Sequence, residues 1–256
     1  MDLNGRTALV TGSSRNIGRA IAVRLAEAGA DVGITAKSNR EGSEETARLV
    51  REAGGQSSVS LADLGDPEAV ETMVEDVRDD LGPIDILVNN ATFRPIKALL
   101  DLTPDDIDRV ANVNVRGILL TSQQVVPDML EAGKGSIVNL IGLLVYLGRP
   151  DHAHSYGTKF AIEGMTRQLA TDLGPDGIRV NAVSPGLIDV EREQTEEWDR
   201  TRKAVLDATP LDRMGTVEEV ADVCAFLASG MASYVTGQVL HVNGGAYPTP
   251  TIVPES

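Results

Sequence analysis

A single cysteine, Cys224, leaves this 256-residue chain no intramolecular disulfide. It sits in the helical pattern VEEVADVCAFLAS (217–229), among apolar residues, where a buried thiol fits better than a nucleophile. No apolar run approaches the ~18 residues of a membrane-spanning helix. The start, MDLNGRTALVTG, lacks the basic region and apolar stretch of a secretory signal, so the expected location is cytoplasmic. Lys and Arg number 23 against 38 Asp and Glu, a formal charge of −15, and they are scattered. Without a basic stripe to neutralise phosphates, no nucleic-acid partner is expected. His152, His154 and His241 form no metal-ligand spacing with carboxylates or cysteine, so no metal is expected either. Nothing like a Gly/Ser/Pro linker, a composition break or an internal repeat divides the chain. Its length suits one α/β domain with a sizeable core.

What is present is a regular alternation. TALVTG (7–12), DVGITA (31–36), SSVSLADL (57–64), IDILVNNA (84–91), GSIVNLIG (135–142), IRVNAVSPG (178–186) and GQVLHVNGG (237–245) read as strands. Between them lie helical patterns such as NIGRAIAVRLAEAG (16–29), REGSEETARLVREAGG (40–55) and PEAVETMVEDVRDDLG (67–82). LTPDDIDRVANVNVRGILLTSQQVVPDML (102–130) reads as one long helix, opened by Thr103 as N-cap and Pro104 at its first position. Such alternation predicts an α/β fold, a doubly wound parallel sheet with helices on both faces. One charged insert, VEREQTEEWDRTRKAVLDATP (190–210), carries the only Trp and follows a strand's C-terminal end. Ligands meet open α/β sheets there, so a substrate lid is expected over 190–210, with a solvated helical excursion as the bland alternative.

TGSSRNIG (11–18) joins the first strand to the first helix. A glycine turn there brings backbone N–H groups and a helix N-terminus against a pyrophosphate. The end of the second strand discriminates between cofactors. NAD binders place a carboxylate ~20 residues past the glycines to hold the ribose 2′-hydroxyl. This chain has Ala36, Lys37 and Ser38. No carboxylate is present to repel a 2′-phosphate, and Lys37 and Arg15 can pair with one, so NADP(H) is the expected cofactor.

Five motifs now coincide: TGSSRNIG, NNA (89–91), VNV (113–115), IRVNAVSPG, and the stretch 210–245 ending YVTGQVLHVNGG. Together they resemble the short-chain dehydrogenase/reductase family, in the branch similar to 3-oxoacyl-ACP reductases. The resemblance implies a single Rossmann-type domain over residues 1–256, a sheet of seven parallel strands, and usually a homotetramer. It also implies that Gly12, Ser14, Arg15, Asn16, Ile17 and Gly18 line the phosphates. Asp63 and Leu64 would flank the adenine, and Asn90, Ala91 and Thr92 the ribose. Pro185, Gly186 and Ile188 would lie by the nicotinamide. Asn114 matches an asparagine that holds a water near the catalytic lysine, and Lys159 matches that lysine, which binds the nicotinamide ribose.

Departures from the family pattern cluster in two places. In the loop and its surroundings, Asn16 replaces the middle glycine, Thr92 the last glycine of NNAG, and Val190 a threonine. In the catalytic centre, ungapped alignment puts Gly142 at the catalytic serine and Ser155 at the catalytic tyrosine. Tyr156 stands three residues before Lys159 rather than four. The one-residue offset is ~100° of helix, enough to carry a phenol out of a pocket built for the usual position. A bulge at the helix start would restore it. A catalytic and a packing role for Tyr156 therefore stay open, with the expectation that its hydroxyl faces away and His154 as reserve proton donor.

Three functions compete. One is an NADP(H)-dependent oxidoreductase acting on a small carbonyl, alcohol or imine. A second is a nucleotide-binding protein without redox turnover. The third keeps catalysis but takes an iminium, which already carries its proton. The enzyme is favoured because the cofactor residues are otherwise intact.

Overall fold

The computed structural model describes residues 1–191 and 195–248. β1 (Thr7–Val10) leads into α1 (Asn16–Glu27), β2 (Asp31–Ala36) into α2 (Arg40–Glu52), and β3 (Ser57–Leu61) into α3 (Pro67–Leu81). β4 (Ile86–Asn89) is followed by α4 (Pro104–Ala111) and α5 (Gly117–Ala132). β5 (Gly135–Leu140) precedes α6 (Leu144–Leu147) and α7 (Ala153–Leu173). After β6 (Ile178–Pro185) come α8 (Glu196–Asp207), α9 (Val217–Ala228) and β7 (Val239–Val242). All seven expected strands form.

They make one parallel sheet in the order β3-β2-β1-β4-β5-β6-β7. The chain leaves β1 in one direction and returns at β4 in the other, so a topological switch point lies between those strands. The expected doubly wound Rossmann-type architecture is the observed one.

Successive strand residues face opposite sides, and each side buries its own helices. Ala8 and Val10 pack with Ile21 and Leu25 of α1 and with Val220 and Cys224 of α9. Leu9 between them packs with Val70, Met73 and Val77 of α3 and with Val125 and Met129 of α5. Cys224 is fully buried, and that burial pushes its thiol pKa up, as an inert structural cysteine requires.

The helix expected over 102–130 starts where the sequence places it. Thr103 accepts from the Asp106 backbone N–H, while the Asp106 carboxylate accepts from the Thr103 N–H. It is not one α-helix, however. Asn112–Arg116 form a wider π-helical turn between α4 and α5. π-turns interrupt α-helices where a side chain needs a different aim, and Asn114 lies at the centre of this one.

Candidate active site

The C-terminal ends of β1, β2, β4, β5 and β6 border one continuous cleft of about 1120 Å³. At one end of it lies the glycine turn. Gly12 has φ +65°, and a Cβ there would stand 2.8 Å from the Ala91 Cα. A Cβ on Gly18 would stand 2.3 Å from the Gly12 carbonyl oxygen. Asn16 holds φ 51°, so the asparagine keeps the left-handed turn its position needs. The Asn90 side-chain amide donates to the Thr11 and Gly12 carbonyls and braces the turn from β4.

At the end of β2, Ala36, Lys37 and Ser38 line the cleft, as does Arg15 at the start of α1. Lys37 is not a free cation. Its ammonium is bonded to the Asp63 carboxylate, which lowers the Asp63 pKa. Both partners are well exposed. An exposed ion pair is worth ~0–1 kcal/mol, less than the ~1.5–3 kcal/mol of a good charge-assisted contact. A phosphate can therefore compete for Lys37. Asp63 itself is absent from the lining; Leu64, Ala91, Thr92, Pro185, Gly186, Ile188 and Val190 are on it.

At the other end are Gly142, His152, Tyr156 and Lys159. Lys159 is buried, and its ammonium donates to the Leu140 carbonyl at 2.9 Å. Burial, with a smaller push from the Arg94 charge, lowers its pKa to about 7. The Tyr156 ring is tilted against the His152 ring at 4.7 Å and rests on Ile118, Ile141 and Ile162. Tyr156 lines the cleft, but its hydroxyl makes no hydrogen bond to Lys159 or to any other described residue. The positive φ of Gly148 (76°) and Asp151 (60°) marks where the chain turns before α7.

Ser155 is fully buried and off the cleft, its hydroxyl donating to the His152 carbonyl. It cannot stand in for a tyrosine. His154 is also off the cleft, both ring nitrogens buried without a partner. The histidine facing the cleft is His152, whose Nδ1 lies 2.6 Å from the Pro150 carbonyl. A carbonyl only accepts, so the Nδ1 proton is assigned there. Of the two histidines, His152 and not the expected reserve donor His154 lines the cleft.

Asn114 is off the cleft as well. Its Oδ1 accepts from the Phe93 N–H and the Thr92 hydroxyl; its Nδ2 donates to the Phe93 carbonyl and the Thr158 hydroxyl. Both donors and both acceptor sites of the side-chain amide are thus used, and they tie the loop after β4 to α7. Over the mouth of this end, Trp198 and Val205 of α8 pack with Leu143, Leu187 and Ala246.

Comparison with known proteins identifies the family. The profile of a family described as "Enoyl-(Acyl carrier protein) reductase" matches residues 12–247. The 3-oxoacyl-[acyl-carrier-protein] reductase of Staphylococcus aureus is 36% identical over 242 residues, 94% of this chain and 98% of that protein. A solved structure from Sinorhizobium meliloti superposes with a TM-score of 0.92 at 36% identity, covering 97% of this chain and 98% of the other. A gluconate 5-dehydrogenase from Burkholderia cenocepacia, solved with NADP and tartrate, gives 0.87 at 33%, covering 96% of each. The chain belongs to the short-chain dehydrogenase/reductase family.

Gly142 stands where the resemblance expects a serine. Its φ of +137° suits glycine, and a Cβ there would meet nothing within 4 Å. A serine could not simply be restored there, since an L side chain is strained at that φ.

Proposed function

We propose that this chain is an NADP(H)-dependent oxidoreductase acting on a small carbonyl or imine, with Tyr156 as its proton-exchanging residue. The observation that carries the reading is the single cleft joining the glycine turn, Arg15 and Lys37 to Tyr156 and Lys159. The site fits the cofactor on its own chemistry. Gly12 and Gly18 occupy places a side chain would fill, and the first N–H groups of α1 lie beside that turn. Arg15 and Lys37 suit a 2′-phosphate, Ala36 leaves room beside them, and Lys159, on the same cleft, offers an ammonium to ribose hydroxyls. When bound, NADP(H) supplies or accepts a hydride. The solved B. cenocepacia relative is itself an NADP complex, which supports the choice of cofactor.

In the reducing direction Tyr156 Oη gives its proton to the substrate oxygen or nitrogen, and in the oxidising direction it takes one back. The Lys159 ammonium, three residues on and so on the neighbouring helical turn, favours the phenolate that this exchange leaves. Leu143, Leu187, Trp198 and Val205 keep water from that end, with the described part of 190–210 as the lid. The oxidation of NADPH across ketones and imines, followed beside NADPH binding, tests this reading. Tight binding with no turnover on any substrate would move the chain to the competing reading, a nucleotide-binding protein without redox chemistry. Turnover on iminium compounds alone would remove Tyr156 from the chemistry.

We also propose a homo-oligomer, a tetramer by family precedent. Ile107, Leu119, Leu130 and Phe160 leave apolar surface exposed on α4, α5 and α7. Light scattering would overturn this by returning a monomer of 27.1 kDa. The Pro-rich tail AYPTPTIVPES (246–256) would gain order by lying across a neighbour, and its residues 249–256 fall outside the described residues.

A further inference from the structure

The cleft carries positive charge that the cofactor does not account for. No Asp or Glu among the described residues lines it, while the chain as a whole has a net charge of −15. Arg15 and Lys37 lie at the glycine-turn end and suit the cofactor's phosphates. Arg109 sits over the Phe93 ring at 4.8 Å, and its charge helps to lower the Asp63 pKa, which places it toward that end too. Arg94 is different. It lines the cleft from the loop after β4, and its charge is felt by Lys159. It forms no ion pair among the described residues, whereas its neighbour Lys97 is paired with Asp106.

The position of Arg94 is held. Asn114 grips the loop on both sides of Phe93, and the Lys97 N–H donates to the Asp151 carbonyl at 2.9 Å. The loop carrying Arg94 is therefore fastened to the loop before α7, which carries Arg149 onto the same cleft. Apolar side chains line the same cleft: Leu143, Leu187, Trp198 and Val205. A surface of net charge −15 repels anions, so a cation kept at the reacting end selects for them locally.

Resting on the redox reading above, we propose that the substrate is a small oxo acid or its hydroxy acid, with Arg94 pairing its carboxylate and the apolar wall holding its hydrocarbon part. A guanidinium presents two parallel N–H donors to a carboxylate, and a neutral ketone offers no such partner.

The test separates this from redox activity by measuring binding. NADP-loaded protein is titrated by calorimetry with a four-carbon dicarboxylate and with its dimethyl ester, and NADPH oxidation is followed with a matching oxo acid and its methyl ester. Binding of the carboxylate at least tenfold tighter than the ester is expected. Arg94→Ala should erase that difference and Arg94→Lys restore part of it, all three proteins melting alike. Equal binding of acid and ester, or an Arg94→Ala protein that keeps the preference, overturns the inference. Acid binding without any NADPH oxidation leaves the anion site standing and overturns the redox reading. Ester turnover as fast as acid turnover, with equal binding, does the reverse.

Discussion

The two ends of the cleft treat substitution differently. At the glycine turn, Asn16 replaces a glycine, yet the backbone keeps φ 51° and Asn90 still braces the Thr11 and Gly12 carbonyls. Backbone groups do the binding there, so a side-chain change is tolerated when the dihedral survives. At the reacting end, side chains do the chemistry. The resemblance expects a serine hydroxyl where Gly142 stands, and Tyr156 lines the cleft one residue from where the resemblance expects a tyrosine. A site built from backbone survives changes in residue type; a site built from side chains has to be rearranged around them.

The sharpest way to break that comparison is Tyr156→Phe. If the phenol has been re-aimed, turnover should fall by the ~10²–10⁴-fold that general acid–base catalysis supplies, while NADPH affinity barely moves. Steady-state rates beside fluorescence titration of NADPH would show it. Loss of affinity equal to the loss of rate would mean that Tyr156 holds the site together by packing against His152.

The opposite end is tested by Gly18→Ala. Its new Cβ would lie 2.3 Å from the Gly12 carbonyl and 2.6 Å from the Asn90 side-chain nitrogen. Overpacking of this kind costs ~1–3 kcal/mol, and it falls on the turn itself, so NADPH should bind roughly 5- to 150-fold more weakly. Gly164→Ala is the control. That glycine is exposed on α7 with nothing within 4 Å, and the change should be neutral or stabilise by up to ~1 kcal/mol. Identical effects of both changes on NADPH affinity would show that the turn is not the binding element.

A smaller effect is expected at the end of β2. One charge-assisted contact of ~1.5–3 kcal/mol corresponds to at least a tenfold preference for NADPH over NADH. Arg15→Ala should remove more of it than Lys37→Ala, because Lys37 must first leave Asp63. Asp63→Asn should then raise the Lys37 share. Competitive titration of both reduced cofactors in the three variants decides it, and unchanged preference in all three would remove the argument.

How far the sequence carried follows the same division. The strands and the order of helices were legible because short apolar runs and helical periods alternate without ambiguity, and Thr103 with Pro104 marked a helix start that the capping box confirms. The left-handed Asn16 was legible because only a few residue types take that dihedral. The π-turn around Asn114 was not. It costs no break in the hydrophobic pattern, and its cause is a set of hydrogen bonds to residues about 20 and 40 positions away. Nor was the turn through Gly148 and Asp151 before α7, which neither the count from β5 nor the count back from Lys159 contains.

Lys159 offers the last test, in which the reacting end is read through stability alone. Its folded pKa of about 7 lies below the ordinary 10.5, because burial disfavours the ammonium. Between those two values the unfolded chain holds a proton that the folded chain has released, so this group's contribution to stability rises with pH. Below pH 7 the folded protein carries the full penalty of a buried charge. In the cofactor-free protein Lys159→Met, of similar length and without charge, should therefore raise the melting temperature most near pH 6. At ~2–4 °C per kcal/mol for a domain of this size, the gain is several degrees. It should shrink steadily as pH climbs and be nearly gone approaching pH 10, other groups cancelling between the two proteins. A gain that stays constant with pH would mean that Lys159 is charged throughout, steadied by its bond to the Leu140 carbonyl, and would return the catalytic end to the ordinary lysine of a short-chain dehydrogenase.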